Sequence, residues 1–382
     1  MSRVVLAMSG GVDSSVAASL LVRSGHEVIG VFMRHGAADE TSGACQVGST
    51  GSPSAQGGLT IVQPAGHKQG CCSAEDADDA RRVAAQLGIP FYPLNLQTGF
   101  ARIMDYFVDE YVRGRTPNPC VMCNNWLKFG RLFDYADQIG AQYVATGHYA
   151  RLAADPSSST PHLLRGVDRT KDQSYVLFGV ARERLARMLL PVGEFHKPEI
   201  RRMAGELGMR VADKKDSQEI CFVPSGDHGD FVAQRRGDRQ TAGRFVTTDG
   251  RELGEHGGIE RYTVGQRRGL GVALGEPYYV VRIDAQTGDV VLGLREELAC
   301  RGLIARQVQW LVDPPTEPLA CLVQVRYRSV PLPAMVAAID GDSWQVDFQA
   351  PCLGVAPGQA AVWYVGDRVL GGGWIDQSLP SA

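Results

Sequence analysis

The sequence lacks a long apolar run and any large excess of charge of one sign. No stretch approaches the ~18 consecutive apolar residues of a membrane-spanning helix, and no basic leader precedes an apolar segment, so neither a membrane anchor nor a secretory signal is expected. Apolar residues make up 44% and charged residues 21% of the 382 residues, which is typical of a soluble globular chain with two or three domains. These features predict a cytoplasmic protein that does not bind membranes.

A disulfide framework is not expected either. Nine cysteines are an odd number, and a chain without a secretory signal normally keeps its cysteines as thiols. Cys120 and Cys123 form a C-x-x-C pair that, taken alone, is compatible with half a zinc site, a redox pair or two ligands of an iron–sulfur cluster. There is no second C-x-x-C, and the adjacent Cys71 and Cys72 suit one metal ion poorly, so a structural zinc ribbon is not expected.

The formal net charge of −3 does not indicate a nucleic-acid-binding protein. The arginines nevertheless occur in close pairs, such as Arg113 and Arg115, Arg267 and Arg268, and Arg326 and Arg328. A local basic face attracts phosphates whatever the total charge, although any one of these pairs is more often part of a solvated surface.

The most informative stretch joins an apolar strand to a helical pattern through two glycines. Residues 4–7 are apolar, and Val12, Val16 and Leu20 recur at helical spacing. The joining stretch is Ala7, Met8, Ser9, Gly10, Gly11, Val12, Asp13 and Ser14. Glycine amides, serine hydroxyls and a helix N-terminus all favour an anion, so the stretch predicts a phosphate-binding loop. The alternative is an ordinary tight turn of an α/β domain.

A second apolar strand over residues 28–33 completes a parallel βαβ unit. Because ligands bind at the carboxyl ends of such strands, the loop and Met33 are predicted to share a crevice. Met33 either contacts an adenine there or fills the core. The loop does not end in Lys-Ser or Lys-Thr, so it is not a Walker A motif. Residues 36–70 are rich in Gly, Ser and Thr and predict a flexible insertion.

Later motifs carry further candidate residues. Residues 116–125 contain two prolines and predict a rigid loop that places Cys120 and Cys123. A strand ends in a glycine turn at Gly147, where His148 either meets phosphate or is a structural histidine. Cys221 lies between apolar residues, and a plain buried cysteine is the simplest interpretation of an isolated one.

The remaining sequence changes character. Lys171, Asp172, Gln173 and Ser174 precede an apolar helical segment, which Asp172 or Ser174 could cap. From about Gly243 the chain is glycine-rich and β-like, and its last part alternates apolar and polar residues, with a hairpin predicted around Gly366 and Asp367. These patterns predict a small middle β domain and a C-terminal β-barrel.

Seven motifs, in the same order along the chain, resemble the bacterial-type tRNA-specific 2-thiouridylases. They are SGGVDSS, TPNPCxxCN, ATGHY, KDQS, DSQEICF, GQRRGLG and APGQ. The first resembles the SGGxDS signature of the PP-loop ATP pyrophosphatases. The resemblance implies an α/β fold, with a parallel-sheet PP-loop nucleotide-binding domain over 1–215, a middle β-rich domain over 216–294 and a C-terminal β-barrel over 295–382.

The resemblance also implies a reaction. ATP, with Mg²⁺, adenylates the C2 oxygen of the wobble uridine of tRNA, pyrophosphate leaves, and sulfur then replaces the activated oxygen to give 2-thiouridine and AMP. By motif, Cys221 carries the sulfur as a persulfide, and Cys123 is the nucleophile that can close a disulfide with Cys221. The sulfur comes from a persulfide donor, either a cysteine desulfurase or a sulfur-relay protein.

Binding residues carry over by position as well. The ATP site comprises residues 7–14 with Met33 and Gly147. The target base meets Asn118, Pro119 and Cys120. The other positions linked to tRNA are His148, Lys171, Asp172, Gln173, Arg326, Tyr327 and Gln359. Arginine on phosphate and tyrosine as a stacking surface are physically sensible RNA contacts.

Two departures from the family pattern stand out. Some members have aspartate where this chain has Cys120, which excludes a carboxylate general base there; the insertion 36–70 is also unusual. Cys120, Cys123 and Cys221 together would suit a [4Fe–4S] cluster, although persulfide chemistry explains the latter two without metal. The alternative functions are a PP-loop ligase that adenylates a small metabolite and a non-catalytic RNA-binding protein.

Overall fold

The computed structural model describes residues 1–34, 73–155, 158–216, 220–223, 227–237, 239–272 and 275–381. The predicted insertion, residues 36–70, lies outside the described residues. The strands are β1 Arg3–Ala7, β2 Glu27–Arg34, β3 Phe91–Asn95, β4 Tyr143–Ala145, β5 Ala150–Asp155, β6 Ser158–Arg165, β7 Met188–Leu189, β8 Gly243–Thr247, β9 Glu252–His256, β10 Tyr279–Asp284, β11 Asp289–Gly293, β12 Ala299–Trp310, β13 Leu319–Gln324, β14 Leu332–Asp340, β15 Ser343–Leu353, β16 Ala360–Val365 and β17 Arg368–Pro380.

The helices alternate with the strands only in the first part of the chain. They are α1 Val12–Arg23, α2 Ala74–Gln86, α3 Gln97–Val112, α4 Pro119–Met122, α5 Leu132–Gln138, α6 Lys197–Glu206 and α7 His228–Arg235. A π-helix, Cys123–Arg131, joins α4 to α5. Short 3₁₀ turns cover Ser174–Leu177, Arg182–Arg187, Arg210–Asp213, Ile259–Arg261 and Arg295–Leu298.

A five-stranded parallel sheet with the order β3-β2-β1-β4-β7 forms the first domain. Side chains of a strand alternate between the two faces. Val4 and Leu6 of β1 accordingly pack against α1, α2 and α6, whereas Val5 packs with α3, α5 and the π-helix on the other face. Helices on both faces bury the sheet, and the predicted α/β fold with a parallel sheet is confirmed.

Antiparallel β-structure dominates the rest of the chain. A four-stranded sheet with the order β10-β11-β8-β9 forms the middle domain. Six strands with the order β12-β15-β14-β13-β16-β17 then close into a barrel through pairing of β12 with β17. The predicted hairpin is present, since Val365 of β16 pairs with Arg368 of β17. The expected middle β domain and C-terminal barrel are therefore confirmed as architecture.

The β5–β6 hairpin is the feature that the sequence did not indicate. It belongs to the first part of the chain, yet Leu164 pairs with Arg368 of β17 and so joins the barrel sheet. The carboxylate of Asp367 accepts hydrogen bonds from Arg151 and Arg169, and these bonds, with that from Arg169 the stronger influence, lower its pKa. Since the hairpin belongs to both units, we retain 1–215, 216–294 and 295–382 as proposed domain bounds only.

The prediction of a rigid loop at residues 116–125 is wrong from Pro119 onward, where the chain is helical. The chain turns into helix α4 at Pro119, because proline is well tolerated at the first helical residue, where its missing N–H is not needed. The side-chain oxygen of Asn118 caps the helix by accepting from the Val121 amide at 3.3 Å. The apolar segment after Gln173 is likewise only a 3₁₀ turn.

The barrel binds the residues that precede α4. The Thr116 amide donates to the Pro357 carbonyl at 2.7 Å, and Nε2 of Gln359 donates to the carbonyls of Thr116 and Pro117, at 3.1 Å each. The guanidinium of Arg115 donates to the Ile375 carbonyl at 3.0 Å and to Asp376 at 3.3 Å. The segment that leads to Cys120 on α4 and to Cys123 at the start of the π-helix is therefore fixed by two domains at once.

We expect Arg115→Met to lower the free energy of unfolding by about 2 kcal/mol, because partly buried hydrogen bonds to a charged group are lost. Arg113→Met is the matched control, since Arg113 pairs with the same Glu110 but is mostly exposed, and it should change stability by less than ~0.5 kcal/mol. Urea unfolding followed by tryptophan fluorescence measures both. Equal effects of the two substitutions would contradict a stabilising role for the contacts between Arg115 and the barrel.

Candidate active site

The predicted phosphate loop lies at the carboxyl end of β1 and leads directly into α1. Gly10 has a φ of +70°, and a Cβ there would come within 2.1 Å of the Asp76 carbonyl oxygen of α2. Only glycine therefore fits. The Ser9 amide donates to Oγ of Ser14 at 3.2 Å, and the Ser14 hydroxyl donates to the Gly11 carbonyl, also at 3.2 Å. These bonds keep the loop folded against the start of the helix.

Asp13 occupies the first turn of α1, where the helix dipole favours a carboxylate. Its Oδ1 accepts from the Tyr149 hydroxyl at 2.7 Å and from Nζ of Lys197 at 2.8 Å, and its Oδ2 accepts from the same Nζ at 2.9 Å. Burial, followed by the charge of Asp13, raises the pKa of Tyr149 far above its usual range. Tyr149 thus stays protonated as a donor.

Lys197 is bound by a second carboxylate on its other side. Its Nζ lies 2.8 Å from Oδ1 of Asp216, and Nζ of Lys171 lies 2.8 Å from Oδ2 of the same residue. Burial acts to raise the pKa of Asp216, but hydrogen bonds from Lys171 and Lys197 outweigh it and the pKa is lowered. Lys171, a predicted tRNA contact, therefore forms an internal ion pair here.

Lys214 contacts the glycine loop from below. Its Nζ donates to the Gly10 carbonyl at 3.1 Å, to Asp76 at 2.7 Å and to Asp79 at 2.6 Å. Burial acts to lower the pKa of Lys214, yet the bonds to both aspartates raise it overall, so the ammonium remains charged. A cation thus joins the loop to helix α2.

The other predicted ATP-site residues lie around the same loop. A Cβ on Gly147 would come within 2.8 Å of the Ser14 amide nitrogen, so the turn after β4 packs tightly on the start of α1. Met8 and Val12 are buried on one face of the sheet, while Ala7 and Met33 are buried in the apolar cluster of the other face. Met33 is 8% exposed, as a core methionine is.

His148 is buried, and its Nδ1 lies 2.7 Å from the hydroxyl of Thr146. Burial, with a smaller contribution from the charge of Lys128, lowers the pKa of His148 well below its usual 6.5. A neutral imidazole enclosed by the core does not attract phosphate by charge. Of the two interpretations of His148, a phosphate contact or a structural histidine, this geometry favours the structural histidine.

Cys123 begins the nine-residue π-helix. Such wide turns are rare and occur mostly at functional sites. Nδ2 of the Asn124 side chain donates to the Val176 carbonyl at 3.3 Å, and a Cβ on Gly179 would come within 2.2 Å of the Asn125 side chain. These contacts fix the π-helix against residues 174–180.

Cys120 is exposed, while Cys123 and Cys221 are half-buried thiols that pack against the same apolar cluster. Within the described residues, no group of three His, Cys, Asp or Glu side chains is placed to hold a metal ion. Cys120, Cys123 and Cys221 therefore do not fit a three-cysteine [4Fe–4S] cluster in this structure.

In the part of the chain that the structure describes, every helix is too short or too polar to span a membrane.

Several predicted tRNA contacts are engaged within the protein. Asp172 accepts from the Ser174 amide at 3.0 Å and so caps the 3₁₀ turn, and Oε1 of Gln173 accepts from the Tyr149 amide at 3.0 Å. Nη2 of Arg326 donates to the Val264 carbonyl at 2.6 Å, which joins the barrel to the middle domain.

Tyr327, another predicted tRNA contact, has a more open arrangement. Tyr327 is 37% exposed, and partial burial, followed by the charge of Asp172, raises its pKa to about 12. Its ring lies 6.2 Å from that of Tyr175. An exposed, neutral phenol supported from behind by a second ring suits stacking on a nucleobase.

Lys197, Asp216, Lys214 and Tyr149 are site residues that the sequence analysis missed. One signal was present: Lys197 is the first residue of α6, where the helix dipole disfavours a cation. A lysine at that position indicates an anion elsewhere. The partners themselves lie in distant parts of the chain, so no local pattern could pair them.

We expect Gly10→Ala to abolish ATP binding, because the added methyl meets the Asp76 carbonyl. Gly140→Ala is the matched control: its φ is +66°, but nothing lies within 4 Å of a Cβ there. The control should lose only the backbone cost of about 1 kcal/mol and keep ATP affinity. Calorimetric titration with a non-hydrolysable ATP analogue measures both, and normal binding by Gly10→Ala would refute the tight fit.

We expect the unfolding free energy to fall as the pH drops below about 6.5, because the unfolded chain then binds a proton that buried His148 does not. The contribution is at most about 1.4 kcal/mol per pH unit. His148→Gln should make the slope between pH 6.5 and 5 shallower. His228 and His256, whose pKa values burial also lowers, remain in the variant, so the difference reports on His148. An unchanged slope would contradict a neutral native His148.

Comparison with known proteins identifies the family. Residues 2–56 and 59–225 match the model of the tRNA methyl transferase HUP domain, 229–294 the tRNA methyl transferase PRC-barrel domain, and 300–375 the aminomethyltransferase beta-barrel domain. The chain is 56% identical to the tRNA-specific 2-thiouridylase MnmA of Rhodopirellula baltica, over 99% of this chain and 97% of that one. It is 49% identical to the protein of the same name from Geobacter metallireducens, again over 99% and 97%. The chain therefore belongs to the tRNA-specific 2-thiouridylase family.

Proposed function

We propose that this chain is an ATP-dependent tRNA-uridine 2-sulfurtransferase. It adenylates the C2 oxygen of the wobble uridine and then replaces that oxygen with sulfur, giving 2-thiouridine, AMP and pyrophosphate. One observation carries the proposal: Cys123 and Cys221 pack against the same apolar cluster that contains Ala7 and Met33 at the ends of the ATP-site strands. This arrangement supports one active site for both half-reactions.

The first half-reaction uses the glycine loop. The backbone N–H groups at Gly10, Gly11 and the start of α1 suit the β,γ-phosphates, and Ser9 adds a hydroxyl donor. Mg²⁺ is usually held by the phosphates with one or two carboxylates, and Asp13 is the carboxylate of the loop. The carbonyl oxygen of uridine is a poor leaving group until AMP is attached, which is why ATP is needed.

The second half-reaction uses the two thiols. A persulfide donor protein, a cysteine desulfurase or a sulfur-relay protein, gives Cys221 its outer sulfur. Attack by the Cys123 thiolate on the inner sulfur of that persulfide forms a Cys123–Cys221 disulfide and releases hydrosulfide. Hydrosulfide then displaces AMP from C2. A dithiol reductant restores both thiols, so atoms and electrons balance. If the persulfide attacks C2 directly, Cys123 resolves the adduct to the same disulfide.

Cys120 belongs to the base pocket in this scheme. It is exposed next to Pro119 on α4, close enough to Tyr327 for its charge to affect the pKa of that phenol. With Asn118 and Pro119 it would line the uridine, and Tyr327 would stack on RNA. The other predicted tRNA contacts have side chains that are bound within the protein, so they would support the tRNA site by holding the protein backbone in place. They are Lys171, Asp172, Gln173, Arg326, His148 and Gln359.

A ligase that adenylates a small metabolite is the weaker alternative. Such an enzyme needs neither Cys123 nor Cys221. It also has no need of an exposed aromatic side chain such as Tyr327 near Cys120 on α4. Pyrophosphate release triggered by tRNA, and not by small carboxylic acids, separates the two activities.

We expect Cys123→Ser and Cys221→Ser each to stop 2-thiouridine formation while pyrophosphate release with ATP and tRNA continues. The reason is that adenylation uses the glycine loop, whereas sulfur transfer uses both thiols. Cys321→Ser is the matched control, because burial raises the pKa of that barrel thiol to about 12 and makes it a poor nucleophile. Nucleoside analysis of the tRNA and a pyrophosphate assay give the two readouts.

Near-normal thiolation by Cys123→Ser would overturn the persulfide scheme. Stoichiometric iron and acid-labile sulfide in anaerobically purified protein, lost in Cys120→Ala together with activity, would replace it with a cluster mechanism. Equal losses of pyrophosphate release and thiolation in both serine variants would instead show that the cysteines serve the fold.

A further inference from the structure

A buried ammonium group lies between two carboxylates at the mouth of the ATP loop. The side chain of Lys197 is 8% exposed, and its Nζ lies within 2.9 Å of both oxygens of Asp13 and 2.8 Å from Asp216. The Tyr149 ring, whose centroid lies 5.7 Å from Nζ, covers one side of the ammonium. With the Tyr149 hydroxyl bond, the Asp13 carboxylate receives three hydrogen bonds and has one orientation.

Such an arrangement is poorly explained by stability. Burying the ammonium and partly burying the two carboxylates costs desolvation free energy that their attraction repays only in part, so such ion pairs are weak sources of stability. They do fix geometry. The carboxylate that is fixed here lies two residues after Gly11, in the first turn of α1, where the triphosphate is expected to bind.

Charge balance gives Lys197 a reason to be there. A bare carboxylate in the first turn of α1 would repel an entering triphosphate. The ammonium neutralises Asp13 while leaving its position at the loop unchanged. Lys197 comes from α6, whose first turn lies outside the glycine loop itself.

Asp216 connects this pair to the rest of the active site. It is also bound by Lys171 at 2.8 Å and by Arg201 at 3.3 Å, so it is held whether or not Lys197 is present. Asp216 opens the DSQEICF motif, which contains Cys221, and Lys171 opens the KDQS motif. A chain of ion pairs, Asp13–Lys197–Asp216–Lys171, thus joins three motifs that the proposed reaction uses.

We propose that Lys197 is a positioning residue for adenylation, which holds Asp13 at the ATP loop, and that Asp216 keeps Lys197 in place. The inference rests on the proposed ATP-dependent function. It assigns to Lys197 and Asp216 a role that the motif resemblance did not give them.

The test uses the full chain with Lys197→Met, Lys197→Arg, Asp216→Asn and the double variant Lys197→Met/Asp216→Asn. Three quantities are measured: the Kd for a non-hydrolysable ATP analogue with Mg²⁺, kcat and KM for pyrophosphate release with tRNA, and the urea midpoint. Arg202→Met is the control on the same helix, because Arg202 forms an exposed pair with Glu206 on the surface.

We expect Lys197→Met to weaken analogue binding roughly tenfold and to lower kcat about 100-fold, since a misplaced loop carboxylate misorients ATP. Lys197→Arg should recover part of the kcat, and Arg202→Met should match the original chain. The double variant removes the repulsion between the two aspartates, so its urea midpoint should return toward normal while its kcat stays low.

Normal analogue binding and kcat in folded Lys197→Met would overturn the proposal. So would a double variant that regains stability and activity together, because Lys197 would then serve only to balance charge. If the original chain binds the analogue but releases no pyrophosphate with any tRNA, the proposed function fails, and the analogue affinities still decide the role of Lys197.

Discussion

The arrangement of the active site depends on how one short piece of backbone, residues 115–119, is held from two sides. Its amide and carbonyl groups are bound by the Pro357–Gln359 turn of the barrel, while Pro119 starts the helix that packs on the first domain. Backbone hydrogen bonds to a second domain leave the segment little freedom. Helix α4, which carries Cys120, can therefore be placed accurately against a large substrate, although it is only one turn long.

Internal polar contacts occupy much of the surface on which the family motifs lie. Asp172, Gln173, Arg326 and Gln359 each complete a turn or join two domains. In the proposed function these side chains shape the RNA site, and direct contact with RNA is proposed for exposed groups such as Tyr327 and Cys120. Loss of such a residue would thus affect affinity through geometry rather than through a single missing bond.

The sequence predicted what local patterns can specify. The strand, glycine turn and helix at residues 3–23 and the β16–β17 hairpin all depend on residues close in the chain, and each is present. The helix at Pro119 was missed because proline was taken as a breaker rather than as a helix start. The partners of Asp13 could not be found, since Tyr149, Lys197 and Asp216 meet only after the sheet forms. The roles of Cys123 and Cys221 came from motif resemblance and remain predictions.

The β5–β6 hairpin has a consequence for how the molecule is made. During synthesis it leaves the ribosome long before β17, the strand beside which it finally lies, and until then an edge of the hairpin stays open. Domains generally fold in order from the N-terminus. The first domain therefore folds while β6 still lacks its pairing partner β17, the last strand of the barrel. The sheet that includes this hairpin is thus completed only after β17 has been translated, which ties formation of the proposed RNA-binding face to a late stage of biosynthesis.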